Sequence, residues 1–214
     1  MLVAQSAFQQ PGGICQAPDT AVVASRLGAA WASGAMQLMG VVWMAMVLAM
    51  VPPLAMPAVR HVTARSLPQR RRRAAAGFLA AAAAPWLIFG VGAVVLAVIV
   101  DGARWPMVAG FLVAALWQLT PVKRDMLRLC HRSVALAATG WAADRDCLAF
   151  GWTQGLACLG SCWAMMLAPM LAHDSLPAML AVQIIAISER WTSRPEIVRS
   201  ALLLTGGAGL AIIA

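Results

Sequence analysis

Over residues 34–54, 74–100, 105–119 and 147–171 the chain carries no charged side chain. Nothing else in the sequence constrains the fold as much. About 20 apolar residues match the hydrocarbon thickness of a bilayer. Within lipid every backbone polar group needs an internal partner, so such runs become helices. The chain of 214 residues is 62% hydrophobic and 11% charged, against about 25% charged in an average soluble domain. A soluble core of this size has no room for so much apolar sequence. The expected fold class is all-α, a polytopic transmembrane helical bundle.

Breakers and charges divide the bundle. Residues 1–30, with Pro11, Gly12, Gly13 and Pro18, read as an irregular N-terminal tail, and residues 31–214 as a single transmembrane helical domain. A first span over 34–54 closes on Pro52, Pro53 and Pro57, and a basic loop follows over 60–73. The second span, 74–100, holds Pro85, a kink position. The third, 105–119, is short and stops at Pro121. Residues 122–146 are basic, with Met126, Leu129, Cys130 and Val134 recurring at helical spacing. That pattern predicts an amphipathic helix at the membrane surface. A fourth span covers 147–171, and a short fifth covers 178–188. Ser193-Arg194-Pro195-Glu196 has capping-box spacing and opens a sixth helix over 196–213. The expectation is about six spans plus one surface helix.

Charge placement sets the orientation. Fourteen of the sixteen Lys and Arg residues fall in three segments that share one side, and only Arg26 and Arg104 fall on the other. The positive-inside bias places both termini outside, in a cell inner (plasma) membrane. The start lacks a basic stretch followed by an apolar core, so no signal peptide is expected. A translocated tail without one implies a short tail or an upstream helix. The run Arg70, Arg71, Arg72, Arg73 reads as a topogenic signal attracted to anionic headgroups of the bilayer. The net charge of +8 is spread between apolar blocks with no aromatic platform beside it, which argues against nucleic acid.

Sulfur is the one reactive feature inside the spans. Cys158 and Cys162 are four residues apart, and Gln154 and Ser161 share their helical face. Met126 and Cys130 form a second pair at the same spacing. Cys147 lies on a similar face, but about 16 Å away along the axis. Converging thiols and thioethers suit a soft ion, whereas a single membrane cysteine is more often a packing residue. Met39, Trp43, Met46 and Met50 also form a stripe, for which packing is the favoured reading. His61 and His131 read as solvated, and His173 as part of an outer turn with Asp174. No hydrolase elbow, nucleotide-binding loop or metalloprotease motif is present, and no carboxylate lies within an expected span.

Two stretches carry a resemblance. Gln118-Leu119-Thr120-Pro121-Val122-Lys123-Arg124, continuing to Cys130, and Gly155 to Met166 with Cys158, Cys162 and Trp163, resemble the motifs of a bacterial family. That family is the predicted metal-binding integral membrane proteins, also called domain of unknown function 2182. Its motifs read Q-x-T-P-x-K-x-x-C-L-x-x-C and H-G-x-x-C-x-G-C-C-W-x-x-M. Trp43 to Pro53 and Glu189 are weaker matches, and the resemblance covers about residues 35–214. The departures are Met126 for the first cysteine, Gln154 for the histidine and Ser161 for one of the adjacent cysteines.

The resemblance implies a metal site of Cys130, Cys158 and Cys162, with Met126 as a weaker thioether and Gln154 and Ser161 as former or outer ligand positions. Zinc wants four strong nitrogen or sulfur ligands, while Cu(I) is satisfied by fewer soft ones, so copper is favoured over zinc. The expected function is sequestration or delivery of a soft metal without turnover, with a membrane or metal-donor protein as partner. The alternative is a structural or accessory membrane subunit whose site has degenerated. An enzyme is not expected, because no cation neighbours Cys158 or Cys162 in the sequence.

Overall fold

The computed structural model describes residues 20–100, 105–137, 139–171 and 176–191. Among these the chain is helical: α1 (Thr20–Ala32), α2 (Ala35–Arg65), a 3₁₀ turn (Pro68–Arg70), α3 (Arg71–Val100), α4 (Trp105–Leu119), α5 (Pro121–Cys130), α6 (Gly140–Leu171) and α7 (Leu176–Trp191). Three helices, α2, α3 with its leading turn, and α6, are long and apolar enough to cross a membrane. A fourth crossing is added if α4 and α5, bent by 72° at Thr120, form one broken span. The expected six spans therefore reduce to three or four among the described residues. The sixth helix, over 196–213, lies outside them.

Several expected boundaries move. Residues 20–32 form α1 and are not part of an irregular tail. The Arg26 side chain donates to the Ile99 carbonyl in the last turn of α3 at 2.8 Å, which satisfies an acceptor that the helix leaves open. Gly34, with φ of 78°, breaks α1 from α2 in the left-handed region where a Cβ is penalised.

The first span does not end at its prolines, because α2 continues through Pro52, Pro53 and Pro57 to Arg65. The buried positions Trp43, Val47, Met50, Val51, Leu54, Ala55, Ala58 and Val62 hold one helical stripe across the prolines. Packing of that stripe outweighs the hydrogen bonds the prolines delete. α5 stops at Cys130, so Val134 belongs to the irregular segment that follows. The fourth span starts earlier than the charges suggest, at Gly140, and includes Asp144, Arg145 and Asp146. Arg70 pairs with Asp144, and Arg73 reaches the same carboxylate at 3.1 Å. Arg71 and Arg72 remain exposed.

α6 is the axis of the bundle, with α3, α4, α5 and α7 packed around it. Glycine permits the closest of these contacts. A Cβ on Gly151 would stand 2.4 Å from the Phe78 carbonyl oxygen, and one on Gly155 would stand 2.4 Å from that of Ala82. Both obstacles are backbone of α3, so relief requires the helices to separate. Gly90 similarly leaves room for the Trp43 indole, which donates to the Trp86 carbonyl at 3.0 Å.

Gly155→Ala is expected to destabilise the bundle by about 1–3 kcal/mol, the range of overpacked cores. Gly92→Ala, with nothing within 4 Å of the added Cβ, is expected to be neutral. Denaturation of the detergent-solubilised protein, followed by helicity, separates the two.

Candidate metal centre

The site begins with the bend between α4 and α5. Thr120 is the N-cap of α5: its hydroxyl accepts from the Lys123 amide at 3.3 Å and donates to the Trp117 carbonyl at 2.8 Å. Pro121 follows in the first turn, where its missing N–H is not needed. Thr120 and Pro121 of the first motif thus start a helix. This turn points the Lys123 side chain into the bundle, where the residue is fully buried.

Lys123 belongs to the segment expected to lie as a basic amphipathic helix at the membrane surface. Instead its ammonium donates to Gln118 Oε1 and, at 2.6 Å, to Glu189 Oε2 on α7. The expectation failed because the carboxylate that neutralises Lys123 comes from a helix 66 residues later, beyond the reach of any local pattern. Gln118 also donates to the Met165 sulfur at 2.9 Å. This network ties α4, α5, α6 and α7 together within the apolar interior.

The thiols lie beside it. Cys130, Cys158 and Cys162 are all buried and unoxidised. Cys158 and Cys162 lie one turn apart on a buried face of α6, and Cys130 on α5 lies within electrostatic range of both. The Ser161 hydroxyl donates to the Cys158 carbonyl at 2.9 Å and stands 3.4 Å from the Cys162 sulfur. Gln154 donates to the Cys130 and Arg132 carbonyls, at 3.1 and 3.3 Å. Gln154 and Ser161 therefore line the thiol cluster and hold backbone.

Met126 is not brought to the pair. Its sulfur would stand 3.1 Å from a Cβ on Gly160, a position about 160° around α6 from either cysteine at 100° per residue. There it lines a lateral cleft of about 880 Å³ together with Leu156, Gly160 and Trp163. Cys147, near Asp144 and Arg70, is also apart.

His131 is exposed, as expected, and His61 is partly buried, but the ring nitrogens of both also meet backbone carbonyls. His131 points Nδ1 at the Leu127 carbonyl and Nε2 at the Arg190 carbonyl, at 2.7 and 3.0 Å. His61 lies 2.9 Å from the Val134 carbonyl. His131 straps the ends of α5 and α7 together, with neither ring nitrogen turned to the thiols. His173 and Asp174 lie outside the described residues.

Two cations that sequence reasoning missed border the thiols. Lys123 lies within electrostatic range of Cys162. Arg190 lies within electrostatic range of Cys130 and Cys158. The motif containing Lys123 was visible in the sequence, but Arg190 had only its adjacency to Glu189 to mark it.

Among the described residues, no three His, Cys, Asp or Glu side chains stand close enough to enclose a metal ion. A four-ligand zinc centre is therefore not assembled from them. A two-coordinate soft ion needs only a pair of thiols, and Cys158 and Cys162 are two buried thiols on one face of α6.

The described residues form an all-helical protein with a buried thiol cluster and three or four segments fit to cross a membrane. The chain belongs to the PpoB2 family, described as copper chaperones, whose family model matches residues 40–212. The family agrees with the metal-related character expected from the motifs. No curated protein and no solved structure matches the chain.

Lys123→Met is expected to destabilise the protein by about 3–5 kcal/mol, by leaving Glu189 buried and unpaired. The double variant Lys123→Met/Glu189→Leu should recover much of that loss, since apolar replacement of a buried pair is often neutral. Detergent-phase denaturation of the three proteins measures the difference.

Proposed function

We propose that this protein is an integral membrane copper chaperone that carries one Cu(I) on the thiolates of Cys158 and Cys162. The observation that carries the reading is the i,i+4 thiol pair, buried on one face of α6, in a chain of a copper chaperone family. Copper is cargo here, and no turnover is assigned. Cys130 comes from a separate element, α5. It is suited to exchange: a third thiol can join the ion as one of the first two leaves, which moves a soft cation without releasing it into water. The partner is a copper-accepting protein.

The apolar helices α2, α3 and α6 support an inner-membrane location, with the basic segments, including exposed Arg71 and Arg72, on the cytoplasmic face. The alternative, an accessory subunit with a lost site, draws on the three replaced motif positions Met126, Gln154 and Ser161.

Copper content and Cu(I) affinity of the purified protein, by competition with a chromogenic chelator, test the proposal. Cys158→Ser/Cys162→Ser should lose more affinity than the roughly 10–100-fold of an outer-sphere change. Met126→Leu should leave affinity unchanged. Protein without bound copper, together with an affinity indifferent to both cysteines, would sink the proposal. Stable co-purification with a partner regardless of the cysteines would favour the accessory subunit.

A further inference from the structure

The charges around the thiol pair do not balance. Lys123 and Glu189 cancel each other at 2.6 Å, both buried. Asp125 and Arg128 pair on the exposed side of α5. Arg190 is 8% exposed, and among the described residues no carboxylate lies within ion-pairing distance of it. Its guanidinium faces the Gln154 carbonyl oxygen at 3.5 Å and lies near the Cys130 and Cys158 thiols. An unmatched cation in an apolar interior is strongly disfavoured, so the fold retains a charge that something else must answer.

Space accompanies the charge. A cavity of about 10 Å³ is lined by Cys158, Gln154 and Arg190, and walled by apolar residues of α2 and α3 such as Leu54, Ala58, Phe78 and Trp86. That is about the room of one water-sized body.

We propose that Arg190 selects the valence of the cargo: its buried positive charge is the counter-charge of a two-thiolate complex with a monovalent soft ion. The proposal rests on the copper reading above. Binding converts two thiols and Cu(I) into a bis-thiolate complex with release of two protons, and that complex carries one net negative charge. With Arg190 beside it the site is neutral. The same pair with a divalent ion such as Zn(II) is itself neutral, and leaves Arg190 uncompensated. In a low-dielectric interior, one unit of unbalanced charge outweighs small differences in ligand geometry. Arg190 thus acts as a positioning residue, through its field.

The test compares the ratio of Cu(I) to Zn(II) affinity in the full-length detergent-solubilised protein and in Arg190→Gln and Arg190→Lys. Arg190→Gln should lower that ratio by at least about tenfold, as one buried charge is removed, with Zn(II) binding held or strengthened. Arg190→Lys should keep the wild-type ratio. An unchanged ratio in Arg190→Gln, or a parallel loss of both ions, would overturn the proposal and leave the copper reading standing. If the wild type binds no Cu(I), or binds it without Cys158 and Cys162, the copper reading fails and this proposal falls with it. X-ray absorption on copper-loaded wild type needs no variant to fold: two sulfur ligands support the charge balance, and three, which would leave the site negative, overturn it.

Discussion

The buried ion pair between Lys123 and Glu189 is the contact on which the arrangement of the site depends. It lies inside an apolar bundle with both side chains almost wholly removed from solvent. Removing both ions from water is expensive, and their attraction repays that only with good geometry and further hydrogen bonds. Gln118 supplies one of those bonds. Glu189 Oε1 is left without a partner, so the network is not fully satisfied. A buried pair adds little net stability but strongly penalises any arrangement that separates it. Here that penalty locks α5 and α7 to each other across α6. Cys130 rides on α5, seven residues beyond Lys123, and Arg190 is the neighbour of Glu189. One ion pair therefore sets both the third thiol and the uncompensated cation against the Cys158–Cys162 face.

α6 supplies the rigid side of the site. Its glycines and cysteines share one stripe. Gly151 and Gly155 admit the backbone of α3, and Cys158 and Cys162 continue the same face. The close approach that the glycines allow builds the apolar wall behind Cys158. Small residues at a helix interface are the usual means of close packing in lipid, where no hydrophobic force draws helices together. In this chain the device also excludes water from the sulfurs, which favours soft coordination and magnifies nearby charge.

Much of the motif resemblance turns out to be architecture. Thr120 caps and Pro121 opens a helix, Lys123 and Gln118 form the network, and Gln154 holds the carbonyl oxygens of Cys130 and Arg132. Met126, the first cysteine position of the motif, lies over Gly160 on the far side of α6. What the motif retains for soft-metal chemistry is concentrated in the thiols. That economy matches a carrier, which must release its ion, better than a saturated structural site.

By itself the sequence determined the all-helical class, the apolar runs behind three long helices (though it expected about six spans), the sulfur face of α6 and the surplus of basic residues between apolar runs. Each follows from a local pattern: charge-free length, a 3.6-residue period, or side-chain type. It misjudged the ends of α2, because packing of a continuous apolar stripe overrode three prolines, and it took residues 20–30, most of α1, for part of a tail. It also placed the segment with Lys123 on a membrane-surface helix and saw no cation beside the thiols, since Glu189 and Arg190 arrive from a distant helix. Only the tertiary structure decided which charges are paired, which side of α6 Met126 occupies and which cation faces Cys158. Those are relations between helices, fixed by the bend at Thr120 and the buried ion pair, and a one-dimensional pattern contains no information on which distant residue meets which.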